Sequence, residues 1–383
     1  MVVIDSKKVD VAVVGAGIVG LAHAHLAARS RQSVAIFERN PAALGASIRN
    51  FGMVWSIGHP ADRWHEIALR SREIWLEVLQ QSKLPYLQTG SLHATYWEDE
   101  AAAGKEFSER ATSLGYECAW LTPDQTLART HAIRSEGLLG ALGSPTELTI
   151  DPPQIIRSLP QFLSDRFGVQ VHFNSAVRRV ESSLSHTADQ RCEADAIIVA
   201  SGDDFQALFA ECFRDNGVTR CKLQMMRTVA QPNGWQLGPS LPFGLTFKHD
   251  PLLEVCRTLQ TLKDRVARET PEFDEWGIHV LVSQTVLGEL TIGDSREDGL
   301  AVNIFGNPVV NRLILDYAKA YLRVPTLEIA DQWHGVYAKP PEQPYLSLTP
   351  ANGVRVVTVT SGIGMTMSIG LSGQTFGEMG VAA

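Results

Sequence analysis

Gly15-Ala16-Gly17-Ile18-Val19-Gly20 follows directly on the apolar run Val9-Asp10-Val11-Ala12-Val13-Val14, and Glu38 closes a second run, Val34-Ala35-Ile36-Phe37. Residues of these types in this order can hold a diphosphate and a ribose. Gly15 permits a tight turn, Gly17 lets the backbone approach a pyrophosphate, and Gly20 lets a helix pack closely on a strand. The start of that helix, at Ile18 and Val19, offers free N–H groups and a positive dipole end to phosphate oxygens. A carboxylate at Glu38 can accept hydrogen bonds from ribose hydroxyls. Strand, turn, helix, strand and acid in sequence specify a site for an adenine dinucleotide.

The elements around this turn belong to an α/β chain. Residues 9–28 are apolar enough to suggest a membrane span, but three glycines, His23 and His25 interrupt them and a strand follows at once. With 383 residues, 44% of them hydrophobic and 20% charged, the chain has the make-up of a globular enzyme of one elaborated domain or two. A net charge of −8 disfavours nucleic acid and anionic membranes as partners. Five cysteines (Cys118, Cys192, Cys212, Cys221 and Cys256) are scattered without CxxC spacing. No disulfide framework or metal site is expected, and a reducing cytoplasm is the expected location.

Further along, Gly45 to Gly52 reads as a polar loop, and apolar spacing predicts a helix from Asp62 to Gln81 with Trp64 and Trp75 in the core. Ser91 to Tyr96 reads as a strand, 98–113 as an exposed helix, and Thr122-Pro123-Asp124 as a helix start. Asp151-Pro152-Pro153 opens a helix to about Arg166, followed by a strand at 169–173, an edge strand from Ala176 to Glu181 and a buried strand at 195–200 ending on Ser201-Gly202. Residues 222–230, 242–249, 278–285 and 289–295 are alternating or β-rich, as in an antiparallel sheet. A helix is expected over 308–323, then a buried strand from Val354 to Thr360 running into Ser361-Gly362-Ile363-Gly364-Met365-Thr366 and a last helix. The expected architecture is a discontinuous Rossmann-like dinucleotide domain (1–90, 150–215 and 325–383) with an inserted antiparallel-sheet substrate domain (91–149 and 216–324). A nicotinamide dehydrogenase usually keeps its dinucleotide domain in one piece, so the interleaving favours FAD over NAD.

These elements together resemble the D-amino-acid oxidase superfamily of FAD-dependent oxidoreductases, which includes glycine and sarcosine oxidases. The resemblance rests on GAGIVG with Glu38, the GASIRNFG loop, DAIIVASG, GELTIGDS and TSGIGMTMSIG. Within it, ASIRNFGMVW, CKLQMMRT, GIHVLVSQ and WHGVYA look most like a bacterial subgroup associated with aminophosphonate breakdown. The resemblance implies non-covalent FAD. Gly15, Gly17 and Gly20 match the pyrophosphate turn, Glu38 the ribose acid and Arg39 a basic residue beside the adenosine. Ser47, Arg49, Asn50 and Gly52 match the loop that runs toward the flavin, where a guanidinium can compensate the diphosphate. Val177 matches the adenine-contacting strand, Gly202 the turn that supports FAD from beneath, and Gly362, Gly364, Met365 and Thr366 the loop under the flavin. N–H groups there can stabilise negative charge as the flavin is reduced.

Two departures bear on the substrate. Where glycine-oxidase-like members hold a carboxylate-clamping arginine, this chain has Tyr337, with Lys339 nearby, and a lysine of sarcosine oxidases is replaced near Thr291. A point-charge ammonium and a phenol suit a phosphonate better than a planar carboxylate. Lys222, Arg227, Lys248 and His279 lie on or beside the predicted antiparallel sheet and complete the candidate substrate residues; alternation puts Lys222, Gln224 and Met226 on one face. The expected reaction is oxidation of a small amine to an imine by hydride transfer to the flavin, with O₂ or another acceptor and no protein base required. The alternatives are a 2-hydroxy acid dehydrogenase and a glycine- or sarcosine-type oxidase.

Overall fold

Val11 and Val13 point to one side of the first strand and Ala12 and Val14 to the other, and every one of them is buried. A strand with two dry faces belongs in the middle of a parallel sheet covered on both sides. That is where Val9–Val14 lies in the computed structural model, which describes residues 8–182, 184–187, 191–340, 344–360 and 362–380. It pairs in parallel with Val34–Phe37 and with Arg191–Val199. Gln170–His172 extends the sheet beyond the second strand, and Val354–Val359 lies parallel to Arg191–Val199 on the other side. The eight-stranded sheet therefore draws on segments from the start, middle and end of the described chain. One face packs on the helices Ile18–Arg29, Pro152–Phe167 and Gly364–Met379, and the other on Phe205, Leu208 and Phe213.

A second sheet of six strands is antiparallel throughout. Its spine is Thr219–Ala230, paired along its length with Ile329–Lys339 so that Cys221 faces Tyr337, Leu223 faces Gly335 and Met225 faces Trp333. On its other side Thr219–Ala230 meets Glu289–Gly293 and Glu297–Gly299. This sheet stands over the mouth of the parallel one.

The helix Arg63–Ser82 starts where Asp62 accepts from the Trp64 N–H, and Trp75 is fully buried in the core. Three elements depart from expectation. Only Leu241–Pro242 is strand in the 242–249 region, and Gly244–His249 turns into a 3₁₀ helix. Phe243, Leu245 and Phe247 are all buried as alternation requires, but Pro242 cannot continue a ladder and Gly244 is pressed so close to Glu100 that a Cβ would meet its carboxylate at 2.4 Å. The helix Glu98–Ala111 is amphipathic rather than simply exposed, burying Ala101, Ala103 and Phe107. The edge strand is confined to Arg179–Glu181 in a hairpin with Leu184–His186, leaving Ala176 to Arg178 as irregular backbone. Ser361, in the last glycine loop, lies outside the described residues. No helix among the described residues is long and apolar enough to cross a membrane.

Candidate active site

The glycine turn is tight enough to exclude side chains. Gly15 has φ +104°, and a Cβ there would stand 2.4 Å from the Ala200 carbonyl oxygen. At Gly20 a Cβ would stand 2.0 Å from the Gly15 carbonyl oxygen. Glu38, buried at the end of its strand, accepts the Ala16 N–H at 3.0 Å on one oxygen and the Asn40 N–H at 3.0 Å on the other. The Asn40 side-chain amide donates a third bond at 3.1 Å, and a carboxylate with about four lone-pair sites can still accept from a ligand. The Ser47 hydroxyl accepts the Ile18 N–H at 2.9 Å and so ties the 45–52 loop to the helix start.

From this turn a single cavity of about 600 Å³ runs to the second sheet. Gly15, Gly17, Ile18, Val19 and Glu38 line its near end, where Val177 and Gly202 also reach it. Ser47, Arg49 and Asn50 line its middle, and Gly362, Gly364, Met365 and Thr366 its floor. Gly20 and Gly52 stand behind the wall; at Gly52, φ +71°, a Cβ would meet the Ile150 carbonyl oxygen at 2.0 Å. Arg39 lines the cavity but pairs with Asp204. Asn50 shapes the loop, donating to the Ala46 and Ser47 carbonyls at 3.0 Å and accepting the Gly52 N–H at 2.8 Å. Arg49 has no acidic partner within 4 Å among the described residues. The Arg49 carbonyl accepts from the Trp333 indole at 3.3 Å, which fixes this loop against the second sheet. The floor is held in place too: the Trp75 indole donates to the Met365 carbonyl at 2.7 Å, and the Thr366 hydroxyl accepts the Trp55 N–H at 2.8 Å. A glycine cradle, a buried acid, a free guanidinium midway and a helix N-terminus at the floor fit an adenine dinucleotide bearing a flavin.

The far end divides the six substrate candidates. Tyr337 and His279 line it. The other four do not, and each has an acidic partner away from the wall. Lys222 is 2% exposed and bonds Glu297 at 3.2 Å and the Phe305 carbonyl at 2.6 Å. The face that reaches the cavity is the odd one, through Leu223 and Met225, so the alternation was right and Lys222 is on its dry side. Arg227 lies 3.5 Å from Glu289 and stacks over Trp333, Lys248 pairs with Asp274, and Lys339 pairs with Asp298.

Four further residues complete this end: Trp55, His59, Asp294 and Arg296. His279 Nε2 stands 2.5 Å from Asp294 Oδ1, close enough for an ion pair but out of line for a hydrogen bond. Burial pushes the His59 imidazole down to about 3, which leaves it neutral, and pushes the Tyr337 phenol well above its ordinary range, which keeps it a donor. Asp294 lies within the GELTIGDS motif and Arg296 directly after it, and their place at the end of the strand Glu289–Gly293 was the signal that could have marked them.

Residues 10–379 match the model of the DAO family, described as FAD dependent oxidoreductase. Glycine oxidase of Geobacillus kaustophilus (strain HTA426) is 24% identical over 211 residues, 51% of this chain and 55% of that protein, so the match spans about half the length of this curated relative. The crystal structure of glycine oxidase from Geobacillus kaustophilus superposes with a TM-score of 0.75 at 19% identity, covering 98% of this chain and 95% of that one. L-proline dehydrogenase from P. horikoshii gives 0.74 at 17% identity, over 99% and 95% of the two chains. These structural likenesses concern the fold. With a family match running over nearly its whole length, the chain belongs to the DAO family of FAD-dependent oxidoreductases.

Proposed function

We propose that this enzyme oxidises a small amine to an imine, which water then hydrolyses, and that the amine is an aminophosphonate of the 2-aminoethylphosphonate type, N-methylated or not. The observation that carries this reading is the single cavity joining the dinucleotide cradle to a pocket walled by Tyr337, His279 and Asp294. When bound, FAD supplies the oxidising equivalent by taking up the hydrogen of the amine-bearing carbon as hydride. The chain's own residues bind and orient. Glu38 takes the ribose, Arg49 the diphosphate, and the N–H groups opening Gly364–Met379 face the charge that builds beside them. Trp55, Met225 and Leu281 give the pocket apolar wall that keeps water out. The amine reacts in its neutral form, and the His279–Asp294 couple is placed to take the ammonium proton. The phosphonate is supported by the sequence resemblance to the subgroup associated with aminophosphonate breakdown. The ammonium expected from Lys339 does not serve it, because that side chain is bound to Asp298.

The test is anaerobic flavin bleaching over a panel of amines. 2-Aminoethylphosphonate or its N-methyl form is expected to bleach the flavin far faster than glycine, sarcosine, D-alanine or a 2-hydroxy acid. Faster bleaching by glycine or sarcosine would replace the phosphonate reading with the amino-acid one. Acid precipitation of the same protein should leave all FAD in the supernatant. For the cradle, Glu38→Ala should weaken FAD binding by about 1.5–3 kcal/mol, the worth of a hydrogen bond to a charged group. Titration of the apoprotein with FAD measures it, and unchanged affinity would remove Glu38 from the ribose site.

A further inference from the structure

We infer that Arg296 anchors the anionic group of the substrate. The inference rests on the reading above for the identity of the ligand, but the anchor itself follows from charge pairing around one cavity. Three acids flank Arg296 in sequence, and each faces a different basic side chain. Glu297 lies 3.2 Å from the Lys222 ammonium, Asp298 pairs with Lys339, and Asp294 lies 2.5 Å from His279. Among the described residues no carboxylate comes within 4 Å of the Arg296 guanidinium, and its buried Nε has no hydrogen-bond partner. A guanidinium does not shed its proton to escape burial. Held half-buried at a cavity wall, near Asp294 and Asp298 but within 4 Å of neither carboxylate, it calls for an anion from outside the chain.

The backbone that carries this side chain is fixed in place. The Arg296 backbone N–H donates to the Trp276 carbonyl at 2.7 Å, and Gly277 packs so near that a Cβ there would stand 2.9 Å from the Arg296 Cβ. Tyr337 completes the site. Along Thr219–Ala230, Cys221 is paired with Tyr337 on one side and with Asp298 on the other, which brings the segment carrying Arg296 and the Tyr337 phenol to the same level of the sheet. The Tyr337 ring lies over the floor loop, its Cζ 3.6 Å from where a Cβ on Gly362 would be. An anion between Arg296 and Tyr337 would therefore leave the rest of a small substrate above that floor, beside His279. The arginine fork missing at position 337 is supplied from the neighbouring segment. A fork takes two oxygens of one oxyanion, whether carboxylate or phosphonate.

Two redox-inert probes that lack an amine, ethylphosphonate and propionate, separate the anchor from the reaction. Each is titrated into the FAD-loaded enzyme and followed by the perturbation of the flavin spectrum. Wild type is expected to bind at least one of them, and the tighter one names the oxyanion. Arg296→Met should weaken that binding by about 100-fold, the usual loss when one partner of a buried charge pair is removed. Arg296→Gln, which keeps a donor of similar reach, serves if the methionine variant does not fold, and should lose at least about tenfold. Binding of neither probe by wild type, or affinity within about twofold in a folded variant, would overturn the anchor. Anion binding that depends on Arg296, with no amine oxidised, would keep the anchor and overturn the amine reading.

Discussion

Gly15→Ala is expected to abolish FAD retention and to cost the fold about 2–5 kcal/mol. Two separate terms produce this. With φ at +104° an alanine sits in a region that L-residues pay about 1–2 kcal/mol to enter. Its methyl would also meet the Ala200 carbonyl oxygen at 2.4 Å, and that oxygen terminates a buried strand of the central sheet, so it cannot step aside. Forcing an atom into a packed site costs about 1–3 kcal/mol more. Gly202→Ala is the control, since φ there is +67° but a Cβ would meet nothing within 4 Å. Only the conformational cost applies to it. Urea unfolding and FAD content read both variants, and a Gly15→Ala protein with full FAD and an unshifted midpoint would refute the geometry of the turn.

Glu297→Gln is expected to destabilise the protein by about 2–4 kcal/mol, although Glu297 itself is a third exposed. The cost lies with its partner. Lys222 is 2% exposed, and without Glu297 its ammonium keeps only the Phe305 carbonyl. An uncompensated buried charge is worse than no charge, so Lys222→Met in the Glu297→Gln background should restore most of the loss. A double-mutant cycle by chemical denaturation checks this; additive losses would mean the pair is screened by solvent. The cycle also bears on the cavity, because Lys222→Met alone would free Glu297, the residue next to Arg296, as a counterion for it.

The dinucleotide end was legible because it depends on properties of single residues. A positive φ at Gly15 and an acid after Phe37 are written in the sequence. So were Val354–Val359 and the helix after it, through an uninterrupted apolar run and a glycine loop. The substrate end was not, because parity tells which residues share a face but not which face is wet. Leu223 and Met225 are as apolar as the buried Met226, and nothing local turns them toward a cavity and Lys222 away from it. Lys248 and Lys339 looked free because their partners, Asp274 and Asp298, meet them only in the folded protein. Arg296 gave no signal in the sequence, because it stands among acids whose engagement elsewhere shows only in the fold. The strand expected at 242–249 failed on Pro242, which the sequence shows, and on the contact of Gly244 with Glu100, which no local pattern reports.

The parallel sheet that holds the dinucleotide cradle has a consequence for synthesis. Val9–Val14 emerges from the ribosome early, yet one of its two neighbours, Arg191–Val199, follows only after the middle of the chain has been made. The strand beyond that, Val354–Val359, comes later still, and the cradle's floor opens the helix after it. The first helix, Ile18–Arg29, therefore waits with its apolar face uncovered while most of the polypeptide is translated, because Gly364–Met379 is part of what buries it. Such non-local pairing slows folding and leaves strand edges open to wrong partners. A chaperone that shelters Ile18–Arg29 during synthesis should raise the yield of this enzyme more than one that acts after release.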